Sequence, residues 1–299
     1  MTLEPHRPVH LDQLRQLMNC HLAGVVPGWR LPVRVIEASL GATDDEGGLD
    51  PWVTERRTVC ATESGRLVGA AHVVRYGPGP EVGSRYRGAA ELAWLLFWPE
   101  AGAAARALVA AAAELAAAWR ATQLYAYETA LPVPVVTGVP ESWPHVSTAL
   151  TTSGFEPLAA AEEVIYGGRL PESCGGVPPV AGLEVRAATD QPGRVFRALR
   201  RGVEVASVEW APDLSCGGSL PALAGWAELV TVEVEPAVRG RGIASWLIRR
   251  TVPFLRMVGV RRVVVALTAA EEAAGAGRLC RRLGWEPVVR LEQGWAAEA

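Results

Sequence analysis

Apolar and polar positions along the chain fall into blocks of two periods, and the blocks define a series of alternating elements. A helix is predicted from Leu11, and the segment from Gly24 to Pro51 is broken by Gly and Pro. Runs at Arg57–Thr62 and Arg66–Tyr76, joined by Glu63-Ser64-Gly65, read as a β-hairpin. A strand at Glu91–Phe97 follows, then an Ala-rich helix from Ala101 to about Trp119. A strand at Gln123–Glu128, a helix near Val146–Thr152 and a strand near Glu163–Tyr166 complete the first half. Gly167 to Gly182 has no period and is rich in Gly and Pro, which marks a linker. Beyond it, the β-branched Val230, Thr231, Val232 and Val234 predict a strand that ends at Pro236. Ile243-Ala244-Ser245-Trp246-Leu247 opens an apolar helix, in which Pro253 predicts a kink. Arg262–Leu267 (RVVVAL) predicts a partner strand.

The second half repeats the first. Ala-Glu-Leu at 90–92 returns at 227–229, and each Glu is followed eight residues on by Pro99 or Pro236. Gly154-Phe155-Glu156-Pro157 returns as Gly284-Trp285-Glu286-Pro287, and Leu3-Glu4 finds a counterpart in Leu183-Glu184. The repeat predicts two domains, residues 1–168 and 182–299, joined by a linker at 169–181.

The most informative stretch is VTVEVEPAVRGRGIASWL, Val230 to Leu247. A strand that turns through glycines straight into a helix exposes backbone N–H groups at the positive end of the helix dipole, a site suited to pyrophosphate. The spacing is neither GxxxxGK[ST] nor GxGxxG. The chain contains no lysine, since all 29 residues counted as Lys+Arg are arginine. That excludes Walker-type nucleotide chemistry and lysine Schiff bases. Val234-Glu235-Pro236-Ala237-Val238-Arg239-Gly240-Arg241-Gly242-Ile243-Ala244 resembles motif A of the GNAT acyltransferase superfamily, V-x-P-x-x-R-G-x-G-x-[GA].

The resemblance implies an α/β (α+β) fold of two tandem GNAT-like domains, each a mixed, mostly antiparallel sheet flanked by helices. It implies acetyl-coenzyme A as cosubstrate, held by Val232, Glu233, Val234, Arg239, Gly240, Arg241, Gly242, Ile243, Ala244 and Ser245. The backbone of Val232 to Val234 matches the strand that supplies the oxyanion donor in the family. In the first copy, Gly102, Ala103 and Ala105 stand opposite Arg239, Gly240 and Gly242, beside Glu100. That copy is therefore expected to be degenerate, serving the acceptor side or as scaffold.

Acetyl transfer to an amine needs a base, an oxyanion donor and a proton for the leaving thiolate. All five histidines and all five tyrosines lie at or before Tyr166, which leaves carboxylates as bases in the second domain. Glu228 is the first candidate; by strict alternation it shares a buried face with Val230, Val232 and Val234, where burial would raise its pKa. Glu233 is the second, on the opposite face unless a bulge flips it. Where the family often carries an acidic tyrosine, Ala276-Gly277-Arg278-Leu279-Cys280 places Cys280, readable as a proton donor or as a small buried filler.

Composition adds limits. Of 299 residues, 49% are hydrophobic and 20% charged, and the net charge is −3, which suggests neither a polyanionic partner nor a membrane surface. The N-terminal segment carries no continuous apolar core of the signal-peptide kind. Cys20, Cys60, Cys174, Cys216 and Cys280 are odd in number and show no CxxC, which points to a reducing cytoplasm and to no metal site. The acidic stretch Asp44-Asp45-Glu46 with Asp50 is a candidate attractor for a cationic acceptor. The sequence thus predicts a cytoplasmic acetyl-CoA-dependent N-acetyltransferase, monomer or homodimer, acting on a primary amine of a small molecule by direct attack in a ternary complex. The alternative is a non-catalytic acetyl-CoA-binding sensor.

Overall fold

The computed structural model describes residues 1–41, 50–128, 131–158, 162–172, 176–188 and 194–297. The acidic stretch Asp44-Asp45-Glu46, the side chain of Asp50, and Cys174 lie outside the described residues. Two compact units form: Met1–Glu162 with Val289–Ala299, and Glu163–Val288.

The first unit runs β1 (Thr2–Pro5), α1 (Leu11–Ala23), α2 (Val33–Leu40), β2 (Val53–Glu63), β3 (Arg66–Tyr76), β4 (Ala90–Phe97), α3 (Gly102–Ala118), β5 (Leu124–Ala126), β6 (Val139–Pro140), α4 (Pro144–Thr152) and β7 (Glu156–Pro157). The β2–β3 hairpin turns on Ser64 (φ 50°) and Gly65 (φ 77°), the pair of positive φ angles that a two-residue primed turn requires. In α3, Ala104, Ala105, Leu108, Val109, Ala112 and Ala116 recur at helical spacing and are buried, so small side chains let this helix sit close on the sheet. The amphipathic α2 falls in the stretch that Gly and Pro mark as broken; eight residues between Pro32 and Gly41 are too few to stand out.

The second unit begins with β8 (Glu162–Arg169), whose first residue closes the first unit. It continues through β9 (Leu183–Ala188), β10 (Arg194–Arg200), β11 (Val203–Ala211), β12 (Trp226–Val234), α5 (Ile243–Met257), β13 (Arg262–Thr268), α6 (Ala269–Glu271), a π-helical turn (Glu272–Ala276), α7 (Gly277–Arg282) and β14 (Glu286–Glu292). Pro253 lies inside α5, which runs through it. Among the described residues the strand order is β14-β8-β13-β12-β11-β10-β9, and the last residues of β14, Leu291 and Glu292, pair with β6. The chain then returns to the first unit, where β15 (Trp295–Ala297) pairs with β5 and β7, giving the order β1-β2-β3-β4-β5-β15-β7.

The units differ from the boundaries drawn at 168 and 182. Val164 and Tyr166 are fully buried in the core of the second unit, where β8 pairs antiparallel with β13. Trp295, 2% exposed, belongs to the first unit. A strand's alternation says that it needs a sheet, not which sheet it joins.

The repeat has a physical cause at each landmark. Gly154 (φ 86°) and Gly284 (φ 80°) terminate α4 and α7, and the next residue closes each cap: Phe155 N–H donates to Leu150 O (3.1 Å) and Trp285 N–H to Cys280 O (3.0 Å). Both copies also bulge at one register position. Ala93 is skipped between the pairs His72↔Trp94 and Val73↔Leu92, and Val230 between Glu209↔Thr231 and Trp210↔Leu229.

Candidate active site

After β12, a short 3₁₀ turn (Pro236–Val238) leads to a loop with Gly240 at φ 75° and Gly242 at φ 80°, the residue that caps α5. The left-handed region costs any other L-residue about 1–2 kcal/mol, which explains the glycines. Trp246 N–H donates to Gly242 O (3.0 Å), the first bond of the α5 ladder. The N–H groups of Ile243, Ala244 and Ser245 consequently have no helical acceptor. The space beside Gly240 is open, with nothing within 4 Å of where a Cβ would stand. The Arg239 guanidinium folds back, Nε donating to Val234 O (2.8 Å), and fixes the loop to the strand end. Gly240, Arg241 and Gly242 are exposed, as an anion cradle must be.

Beside this loop the sheet is split. β12 and β13 run parallel for only three pairs, Trp226↔Arg262 to Glu228↔Val264, and both continue beyond the last pair. Glu235 N–H donates to Val205 O, so the odd-numbered residues of this strand end bond to β11. Val232 therefore turns its N–H and C=O into the split, and Val234 its N–H, its carbonyl being taken by Arg239. That edge offers hydrogen bonds to an extended arm, and the loop at its end offers amides to phosphates. The residues present fit acetyl-coenzyme A at this position.

The bulge at Val230 corrects the face assigned to Glu228. Ala227 and Leu229 are buried before the bulge and Val232 and Val234 pack on the same core after it, while Val230 is 48% exposed. Glu228 does not share a face with Val232 and Val234. It lies with Thr231 and Glu233 on the opposite face. Glu228 is half-buried and has no hydrogen bond or ion pair among the described residues. Its pKa is raised, first by burial and then by the nearby Glu163 carboxylate. Glu233 is exposed, on the wall of a cavity of about 260 Å³ with Arg197, Ser207, Glu209 and Thr231.

In the first copy the corresponding carboxylate, Glu91, is fully buried and accepts a hydrogen bond from the Tyr76 hydroxyl. The two glutamates thus differ in use: Glu91 is held in the core, and Glu228 is left without such a donor.

Cys280 is 3% exposed and packed in the core of the second unit. Burial pushes its thiol up to about 12. The exchanged strand β8 brings in Tyr166, which reasoning from sequence order had confined to the first half. Its hydroxyl donates to Glu272 Oε1 (2.7 Å), and its ring lies 5.5 Å from the Arg281 guanidinium. Burial, then the Glu272 bond, pushes this phenol up to about 12. Val164-Ile165-Tyr166 reads as a strand in sequence, and nothing in it signals the sheet to which Tyr166 is delivered.

The first copy is closed at the corresponding places. Its helix α3 starts at Gly102, so residues 102–105 are helical where the second copy has its loop. Its strands β4 and β5 also pair at only three positions, and Tyr127 fills the gap beyond them. The Tyr127 hydroxyl accepts from Leu95 N–H (3.1 Å) and donates to Leu95 O (2.5 Å); Leu95 is the repeat counterpart of Val232. Tyr127 is 1% exposed and held at φ 55°, an unfavourable backbone for a bulky residue.

Comparison with known proteins agrees with this geometry. Residues 185–285 match the acetyltransferase (GNAT) family. The matched residues lie within the second unit. The general activity of that family is acetyl-coenzyme A-dependent N-acetyl transfer. No curated protein matches the sequence. Among solved structures the chain resembles a tandem GNAT protein from the clavulanic acid biosynthesis pathway (TM-score 0.62, 18% identity, covering 99% of this chain and 98% of that one). It also resembles a GCN5-related N-acetyltransferase from Sphaerobacter thermophilus (TM-score 0.60, 15% identity, 99% and 95% covered). A third is the glucosamine N-acetyltransferase region of a fungal multi-domain β-N-acetylglucosaminidase (TM-score 0.62, 14% identity, 99% and 38% covered). At these identities the likeness is one of fold, and the fold is that of a tandem GNAT protein. Among the described residues no helix is long and apolar enough to cross a membrane.

Proposed function

We propose that the chain is an acetyl-coenzyme A-dependent N-acetyltransferase whose GNAT domain in the second unit acetylates a primary amine of a small molecule. The observation that carries this reading is the conjunction of the αL glycine loop, the β12–β13 split and the bulge that turns Glu228 onto the face shared with Glu233. Gly240 to Ser245 present amides to the pyrophosphate, and Val232 and Val234 offer their backbone to the pantetheine arm. The bound thioester supplies an activated acyl carbonyl. The Val232 N–H serves, in this reading, as the oxyanion donor. Glu228, whose pKa burial raises, takes the proton of an acceptor ammonium, whose free pKa is about 10. Glu233 is the second candidate base, on the same face. Direct attack needs no covalent enzyme intermediate, so alignment of the two substrates supplies much of the rate.

The buried Cys280 favours a second reading, a GNAT fold that binds acetyl-coenzyme A without turnover, because the helix that could supply an acid presents a packed thiol. Release of free coenzyme A thiol with a panel of primary amines separates the two. Amine-dependent release supports the enzyme; tight binding with no release for any amine supports the sensor. Cys20, Cys60, Cys216 and Cys280 form no disulfide among the described residues, which suits a reducing cytoplasm. We place neither nucleic acid nor membrane among the partners, and either a monomer or a homodimer fits the reading.

A further inference from the structure

The first unit has lost the features that select a coenzyme thioester but has kept a cleft. Between the end of β4, the start of α3 and the outer face of α4 lies a cavity of about 400 Å³. Phe97, Pro99, Ala105, Pro144 and Ala149 form its apolar walls. At the start of α3 the Ala104 and Ala105 amides are already bonded to Ala101 O (2.9 and 3.2 Å). An extended arm cannot enter the neighbouring split, because the Tyr127 hydroxyl already bonds both backbone groups of Leu95.

What replaces them is one cation. Arg106 lines the cleft at the position where the second copy has the buried Ile243. The Arg106 side chain is exposed and has no ion pair or hydrogen bond among the described residues. The other polar groups on the wall are committed. Thr148 Oγ1 donates to Pro144 O (2.7 Å) and Thr152 Oγ1 to Thr148 O (2.8 Å). His145 Nε2 stands 3.1 Å from His21 Nε2, and His21 Nδ1 is 2.9 Å from Leu17 O. His21 Nδ1 therefore carries its proton for that carbonyl, and the Phe97 backbone carbonyl is a further partner of both rings. Burial lowers the pKa of both rings, which leaves them neutral near pH 7. A single positive charge beside an apolar pocket matches a singly charged anion with an apolar body better than it matches a pyrophosphate.

We propose that this cleft in the first unit is a separate ligand site for a small amphipathic monoanion, of the carboxylate class, held by Arg106. The inference stands apart from the transferase reading, since it concerns the unit that lacks the coenzyme loop. The test is calorimetric titration of the full chain with hexanoate and, as an uncharged match, hexanol, for wild type and Arg106→Gln. Saturable hexanoate binding is expected in wild type, unchanged by excess coenzyme A and weakened about tenfold or more in Arg106→Gln, as loss of a charge-assisted bond implies. Hexanol should bind more weakly than hexanoate and alike to both proteins. Arg106 is exposed, so the variant should fold, and its melting curve checks this. Equal hexanoate affinity in Arg106→Gln, no saturable binding at millimolar hexanoate, or displacement by coenzyme A would each overturn the proposal.

Discussion

Tyr127→Phe removes one oxygen atom and leaves the ring in place. The oxygen is the partner of both Leu95 N–H and Leu95 C=O, and Leu95 is fully buried. Each buried backbone group left without a partner costs about 1–3 kcal/mol. Desolvation of the phenol, which burial already penalises, is recovered in the variant. The net expected loss is about 2–4 kcal/mol. The backbone strain at φ 55° is not relieved, because Phe is as bulky as Tyr. At 2–4 °C per kcal/mol for a unit of this size, the transition of the first unit should fall by about 4–16 °C. Differential scanning calorimetry measures it, with circular dichroism as the check on the native fold. Acetyl-coenzyme A affinity should be unchanged, since the proposed loop is in the other unit. A loss below about 0.5 kcal/mol, the scatter of neutral surface changes, would refute the view that the phenol satisfies the split of the first copy.

Glu228→Gln should lower kcat/KM for the amine by about 10²–10⁴-fold and abolish the acidic limb of its pH profile, the limb set by a carboxyl raised above its ordinary value. The same variant should gain stability at neutral pH relative to pH 4. A folded-state pKa above the unfolded one makes stability fall as pH rises through that interval, and Gln removes the cost; calorimetry at both pH values reads the difference. Cys280→Ala should keep activity within a few-fold while stability falls by about 1–2 kcal/mol, because the thiol is packed in the core. A large loss of kcat with unchanged melting would instead make it the acid.

The loop was legible because chemistry fixes it: only glycine sits easily at φ 75° and 80°, and the sequence shows both. The repeat was legible for a similar reason, its Gly-aromatic-Glu-Pro landmarks being helix caps followed by strand starts. Glu228 was found but placed on the wrong face. Strict alternation carries no mark for an inserted residue, and Val230 has the same β-branched character whether paired or bulged. The exchange of β8 and β15 escaped because both segments satisfy the strand pattern in either sheet. Tyr166 escaped with β8. Tyr127 escaped because its role depends on a left-handed backbone that nothing around it, such as an Asn-Gly pair, announces. The degenerate first loop was legible as missing glycines; that the missing loop became helix, leaving Arg106 over a cleft, was not.

The central claim is that the Gly240–Gly242 loop holds acetyl-coenzyme A. Thermal unfolding of wild type and Gly242→Val with and without the ligand tests it most directly. At a ligand concentration a hundred times the dissociation constant, wild type should gain about 2.7 kcal/mol, a rise of about 5–11 °C. Gly242→Val, forced out of φ 80°, should melt lower on its own and show no rise with ligand. An equal rise in both proteins would place the coenzyme elsewhere, and no rise in wild type would contradict the account.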